Sequence, residues 1–145
     1  MTTKYETDVV AWANEQASLI RAGRFEQLDL DHLAQEIEDV GKSEQRELAS
    51  RISVLLMHLI KWQFQAHKRT GSWALTMKEQ RRMCLRRIQK TPSLAPLLTD
   101  AEWLDDVWID AKALAEKETG IDQGTLPEIC PWAMADVLTE AWLPT

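Results

Sequence analysis

Apolar residues recur at threes and fours almost from end to end of this chain, with polar residues between them. No stretch alternates convincingly with period two, and the turn dipeptides of hairpins are missing. The pattern predicts an all-α fold. A first helix is expected over residues 8–22, with Thr7 able to cap it and Gly23 able to end it. After a link over 24–30, Asp31 caps a long segment that reaches Gln65. Within it Leu33, Ile37, Val40, Leu48, Ile52, Leu55, Leu59 and Trp62 stay on one side across Gly41. This reads as one helix, with Gly41 as a kink or a point of close packing. The alternative is two helices broken at Gly41, with Ser43 as a new cap.

Beyond a link over 66–71, Ser72 is the expected cap of a third helix that runs to Lys90. Thr91-Pro92-Ser93 stops it, and residues 94–98 form a loose turn. Thr99 with Glu102 fits a capping box for a fourth helix, closed by Thr119-Gly120. Pro131 sits where a first-turn proline would, opening a short last helix through about residue 141. Short links between amphipathic helices predict an up-and-down bundle of four main helices plus a short carboxy-terminal one. A single domain over 1–145 is expected, because a chain of 145 residues can bury roughly two-thirds of its unfolded surface.

Charge changes this picture more than composition does. Nine Lys or Arg against one acid, Glu79, fall between Lys61 and Lys90. The flanking stretches are acidic, so the overall −6 divides into −5, +8 and −9 in chain order. Lys78, Arg82, Arg86 and Lys90 form one outer face of the third helix, with Lys68 and Arg69 just before it. Such a face can bind nucleic acid. The expected reading is instead that it meets the acidic fourth helix or water, since a net −6 opposes general attraction to phosphate.

On a helical wheel, Glu44, Arg51 and His58 fall in or beside the apolar stripe of the long helix, and Glu36 and Glu47 lie at its edge. Arg81 falls among Trp73, Met77, Cys84 and Ile88 on the core face of the third helix. A buried guanidinium needs partners, so a polar cluster of Glu44, Glu47, Arg51, His58 and Arg81 is expected, with Arg81 paired to Glu44 or Glu47. An ionic network that fixes register is the expected reading. The alternative is a pocket for an anion or an acid–base pair, with Trp62 and Trp73 as its aromatics.

A metal site has a weak basis. Asp29 and His32 stand at i, i+3, and His32 and Glu36 at i, i+4, but carboxylate-bridged bundles need two Glu-x-x-His motifs and two further Glu. No metal and no cofactor are expected. Nucleophile elbows, phosphate loops and paired Cys–His signatures are missing. Cys84 and Cys130 form no CxxC pair and suit a reduced, cytoplasmic protein. Residues 1–8 carry charge and no apolar run, so no signal peptide is expected. The longest apolar run, 54–60, is too short to span a bilayer, so no membrane partner is expected.

Several segments in order resemble a bacterial family, domain of unknown function 29. They are the stretch from Tyr5 to Trp12, GRFEQLDLDHLAQEIEDVGKSEQRELASR from Gly23, LLMHLIKWQ from Leu55, SW at Ser72, EQRR from Glu79, PSL from Pro92 and LPEICPW from Leu126. The resemblance covers nearly the whole length, implies an all-helical fold and leaves the function open. Seven Trp, missing catalytic motifs and segmented charge together suggest a non-enzymatic module that binds another protein through helix surfaces.

Overall fold

The computed structural model describes residues 4–145, and every regular element among them is helical. The reading of the amino terminus for a signal peptide falls partly on residues 1–3, outside the described residues. The described residues form five α-helices: α1 (Val9–Arg21), α2 (Leu30–Phe64), α3 (Gly71–Lys90), α4 (Ala101–Thr119) and α5 (Met134–Val137). Short 3-10 turns occupy the links, the longest over Pro92–Thr99.

α2 runs 35 residues without a break, so the version split at Gly41 is not realised. The expected caps shift along the chain. Asp8 caps α1 by accepting from Ala11 N, whereas Thr7 donates its hydroxyl to Lys4 O. Asp29, not Asp31, faces the first turn of α2. Thr70 caps α3 and Asp100 caps α4; Ser72 lies inside its helix and Thr99 donates back to Pro96. In each case a neighbouring oxygen is equally competent chemically, and the residue with extended or irregular backbone takes the role. Gly120 closes α4 at φ +78°, a conformation that glycine adopts without steric cost. α5 is only four residues long. Ala133 is extended, so the helix begins three residues after Pro131 and stops well before residue 141.

The chain forms two compact units, Met1–Glu44 and Gln45–Thr145. The first holds α1 and the start of α2. Among its described apolar side chains only Trp12 is buried. It carries four Lys or Arg and ten Asp or Glu, which is the whole net charge of the chain.

The second unit holds the core. Leu48, Ile52, Leu55 and Leu59 follow each other at threes and fours along α2 and are fully buried. Truncating one of these to Ala would cost about 2–5 kcal/mol. Met77 and Cys84 of α3 and Trp108, Ala111 and Ala115 of α4 complete the same cluster. The small Ala111 and Ala115 stand at i, i+4, on one face of α4. Trp108 donates Nε1–H to Pro127 O at 2.8 Å, which satisfies its one polar atom. Trp132 then packs edge-on against both Trp108 (5.7 Å) and Trp142 (6.2 Å), drawing the irregular carboxy-terminal segment onto the core. No described helix is long and apolar enough to cross a membrane.

Candidate interaction site

In the first unit a polar knot fixes the start of α2. Asp29 Oδ2 accepts from Trp12 Nε1 at 3.0 Å and pairs with His32 Nδ1 at 2.7 Å. The Asp29 amide donates to Oε1 of buried Gln16 at 2.8 Å. His32 Nε2 lies 3.2 Å from Glu6 Oε1, and its ring stacks on Tyr5 at 4.2 Å. Tyr5 in turn donates its hydroxyl to Glu36.

These contacts shift titration. The hydrogen bond from His32 holds the Asp29 carboxyl below its usual range, and the same bond holds His32 above its usual value. Donation to Glu36 pushes the Tyr5 hydroxyl up to about 12. The spacing of Asp29, His32 and Glu36 serves this knot: Asp29 and His32 pair with each other, and Glu36 accepts from Tyr5. Among the described residues no group of three or more His, Cys, Asp or Glu is arranged to hold a metal.

What the knot leaves outside is apolar. Leu30, Ile37 and Val40 are 67, 70 and 68% exposed. They stand at i, i+7 and i+10, within one stripe of α2. The sequence pattern placed Ile37 and Val40 on the same stripe as Leu55 and expected that stripe to be covered; only its second half is. Glu36 and Glu38 flank the exposed half.

In the second unit the expected polar cluster divides into separate pieces. Glu47 Oε1 lies 3.0 Å from Arg51 and 3.7 Å from Arg87. Half-buried His58 turns Nδ1 to Val54 O, one helical turn back, at 2.9 Å. Arg81 is buried, at 4% exposure, but its partners are not carboxylates of α2. It donates from Nε to Val137 O at 2.8 Å and from Nη2 to Trp142 O. The carbonyls that end α5 and the following turn are unmatched within a four-residue helix, and the guanidinium meets that need. Glu44 is half-buried and belongs to the first unit.

Trp62 and Trp73 each lie under a cation. Arg69 stands 4.8 Å from the Trp62 ring and donates Nε–H to Trp62 O; Lys61 Nζ stands 4.5 Å from the Trp73 ring and 3.1 Å from Glu118. Lys78, Arg82, Arg86 and Lys90 are all exposed, so the acidic fourth helix does not cover this face. Leu75 and Leu85 are exposed on the same side of α3. A cavity of about 210 Å³ opens beside Leu85, lined by Lys78, Arg81, Arg82, Leu85, Leu138 and Glu140. Sequence reasoning missed this cavity, since Leu138 arrives from a segment far along the chain.

These two faces, the exposed stripe of α2 and the outer side of α3, fall inside the span that known sequences share. The model of a domain of unknown function, DUF29, matches residues 4–143. The chain belongs to the DUF29 family. Neither a curated protein nor a solved structure matches it. The DUF29 span takes in the knot around Asp29, the exposed stripe of α2, Arg81 and Trp142.

Proposed function

We propose that this DUF29 chain is a non-enzymatic interaction module whose acidic first unit takes a basic amphipathic helix of another protein. One observation carries the reading: a unit of 44 residues buries a single described apolar side chain, Trp12, yet leaves Leu30, Ile37 and Val40 in water along one stripe. A segment this small rarely sustains itself on its own burial. An apolar stripe rimmed by charge is the usual mark of a protein contact. Ten acids against four bases in the unit select a basic occupant by complementarity, and the i, i+7, i+10 spacing suits a helix laid along α2.

Isothermal titration of the full chain with a synthetic basic helix, patterned with leucines at a and d positions, tests this. Binding in the micromolar range is expected, and Ile37→Glu or Val40→Glu should abolish it without loss of helicity. Failure of the wild-type chain to bind such a helix would overturn the reading.

A further inference from the structure

The outer side of α3 offers a second surface, independent of the first. Leu75 and Leu85 are 65% and 47% exposed, and Lys78, Arg82 and Arg86 surround them on the helix surface. On a wheel of about 100° per residue all five lie within roughly 100° of each other. The acid on this helix, Glu79, lies 3.8 Å from Arg82 and compensates it only weakly.

We propose that this face docks an acidic amphipathic helix of a partner protein, which seats an apolar anchor in the cavity beside Leu85. Charge selects the acidic rim of the partner, because Lys78, Arg82 and Arg86 stand free of any matching acidic helix of the fold. The cavity selects the anchor. At about 210 Å³ it is smaller than the sites that enclose drug-sized molecules, and Leu85 and Leu138 give it apolar walls suited to one side chain. Arg81 forms part of the wall but is already committed to the carbonyls of Val137 and Trp142, so it orders the cavity rather than recruiting an anion. Glu140 on the rim repels a carboxylate there, which leaves the cavity to an apolar group. Nucleic acid fits less well: contact with a phosphate backbone gains nothing from two exposed leucines on the same face.

Fluorescence anisotropy on the full chain decides between occupants. The probes are an acidic helix with leucines on one face, a scrambled peptide of the same composition, and a 20-base-pair duplex. The patterned peptide should bind about tenfold tighter than the scrambled one, the margin expected of an anchor at an interface centre. Leu85→Ser and Arg82→Glu should each remove that margin. Both residues are exposed, so the fold should survive, and circular dichroism checks it. Equal binding of the two peptides, or an unchanged Leu85→Ser variant, would overturn the proposal. Duplex bound more tightly than peptide, with a salt slope that falls by about one per cation removed, would make the face a phosphate surface instead. A wild-type dimer dissolved by Leu85→Ser would make the occupant a second copy of this chain and refute the partner assignment.

Discussion

Arg81 reaches out of α3 and donates from Nε to the carbonyl oxygen of Val137, 56 residues further along the chain. A buried cation thereby completes a helix of four residues that offers few hydrogen bonds of its own.

Replacing Arg81 with Met should lower stability by about 1.5–3 kcal/mol, the range for hydrogen bonds to a charged group. Adding Glu47→Ala should contribute separately, because Glu47 serves Arg51 and Arg87 and shares no partner with Arg81. Chemical denaturation of the two single variants and the double variant checks this. A coupling above about 1 kcal/mol would restore the single polar layer that the wheel suggested.

His32 should titrate above its ordinary 6.5 and return toward it in Asp29→Asn. Because the folded value is raised, the stabilisation from His32 is complete below pH 6.5 and is lost as pH rises through the folded value. Asp29 is held below its ordinary 3.8, so its contribution is present above that and disappears as pH falls through the lowered value. The knot is therefore tightest between these two ordinary values. Proton NMR of the His32 ring, titrated from acid to well above pH 6.5, reads it directly, and an unshifted midpoint would show that Asp29 does not hold the ring.

Gly41→Ala should stabilise the chain by roughly 0.5–1 kcal/mol. Gly41 lies inside α2, and a methyl group there would meet no atom within 4 Å. Thermal melting of the variant gives the sign, and destabilisation would mean that the space beside Gly41 is not open in solution.

Cys84 should resist iodoacetamide at pH 8 in the native chain. It is fully buried, and burial pushes its thiol up to about 11 despite the opposing Arg51 and Arg87. Cys130 is only half-buried, with burial also raising it, and should react first though slowly. Mass spectrometry of timed samples orders the two, and rapid labelling of Cys84 would expose an opening of the core.

Helix number and type were legible in the sequence because periodicity reports an apolar face directly. It does not report what covers the face, which is why Ile37 and Val40 were assigned with Leu55. Caps moved by a residue or two because Thr7 and Asp8, or Thr99 and Asp100, offer the same oxygen to the same amides. The wheel gave Arg81 an inward position from its neighbours at three and four. Its partners were illegible, since backbone carbonyls of an irregular segment carry no side-chain signature. The knot of Tyr5, Trp12 and His32 was hidden for a related reason: only Asp29, His32 and Glu36 lie close enough in sequence to suggest one another.

The placement of all net charge in the first 44 residues has a colloidal consequence. Residues 45–145 hold equal numbers of acids and bases, so near neutral pH that portion sits close to its own isoelectric point. Proteins in that condition lose the mutual repulsion that keeps them dispersed. The acidic unit thus acts as a solubility tag encoded in the chain. On the proposed reading, a basic helix that neutralised this unit would also cancel the repulsion that the rest of the chain lacks.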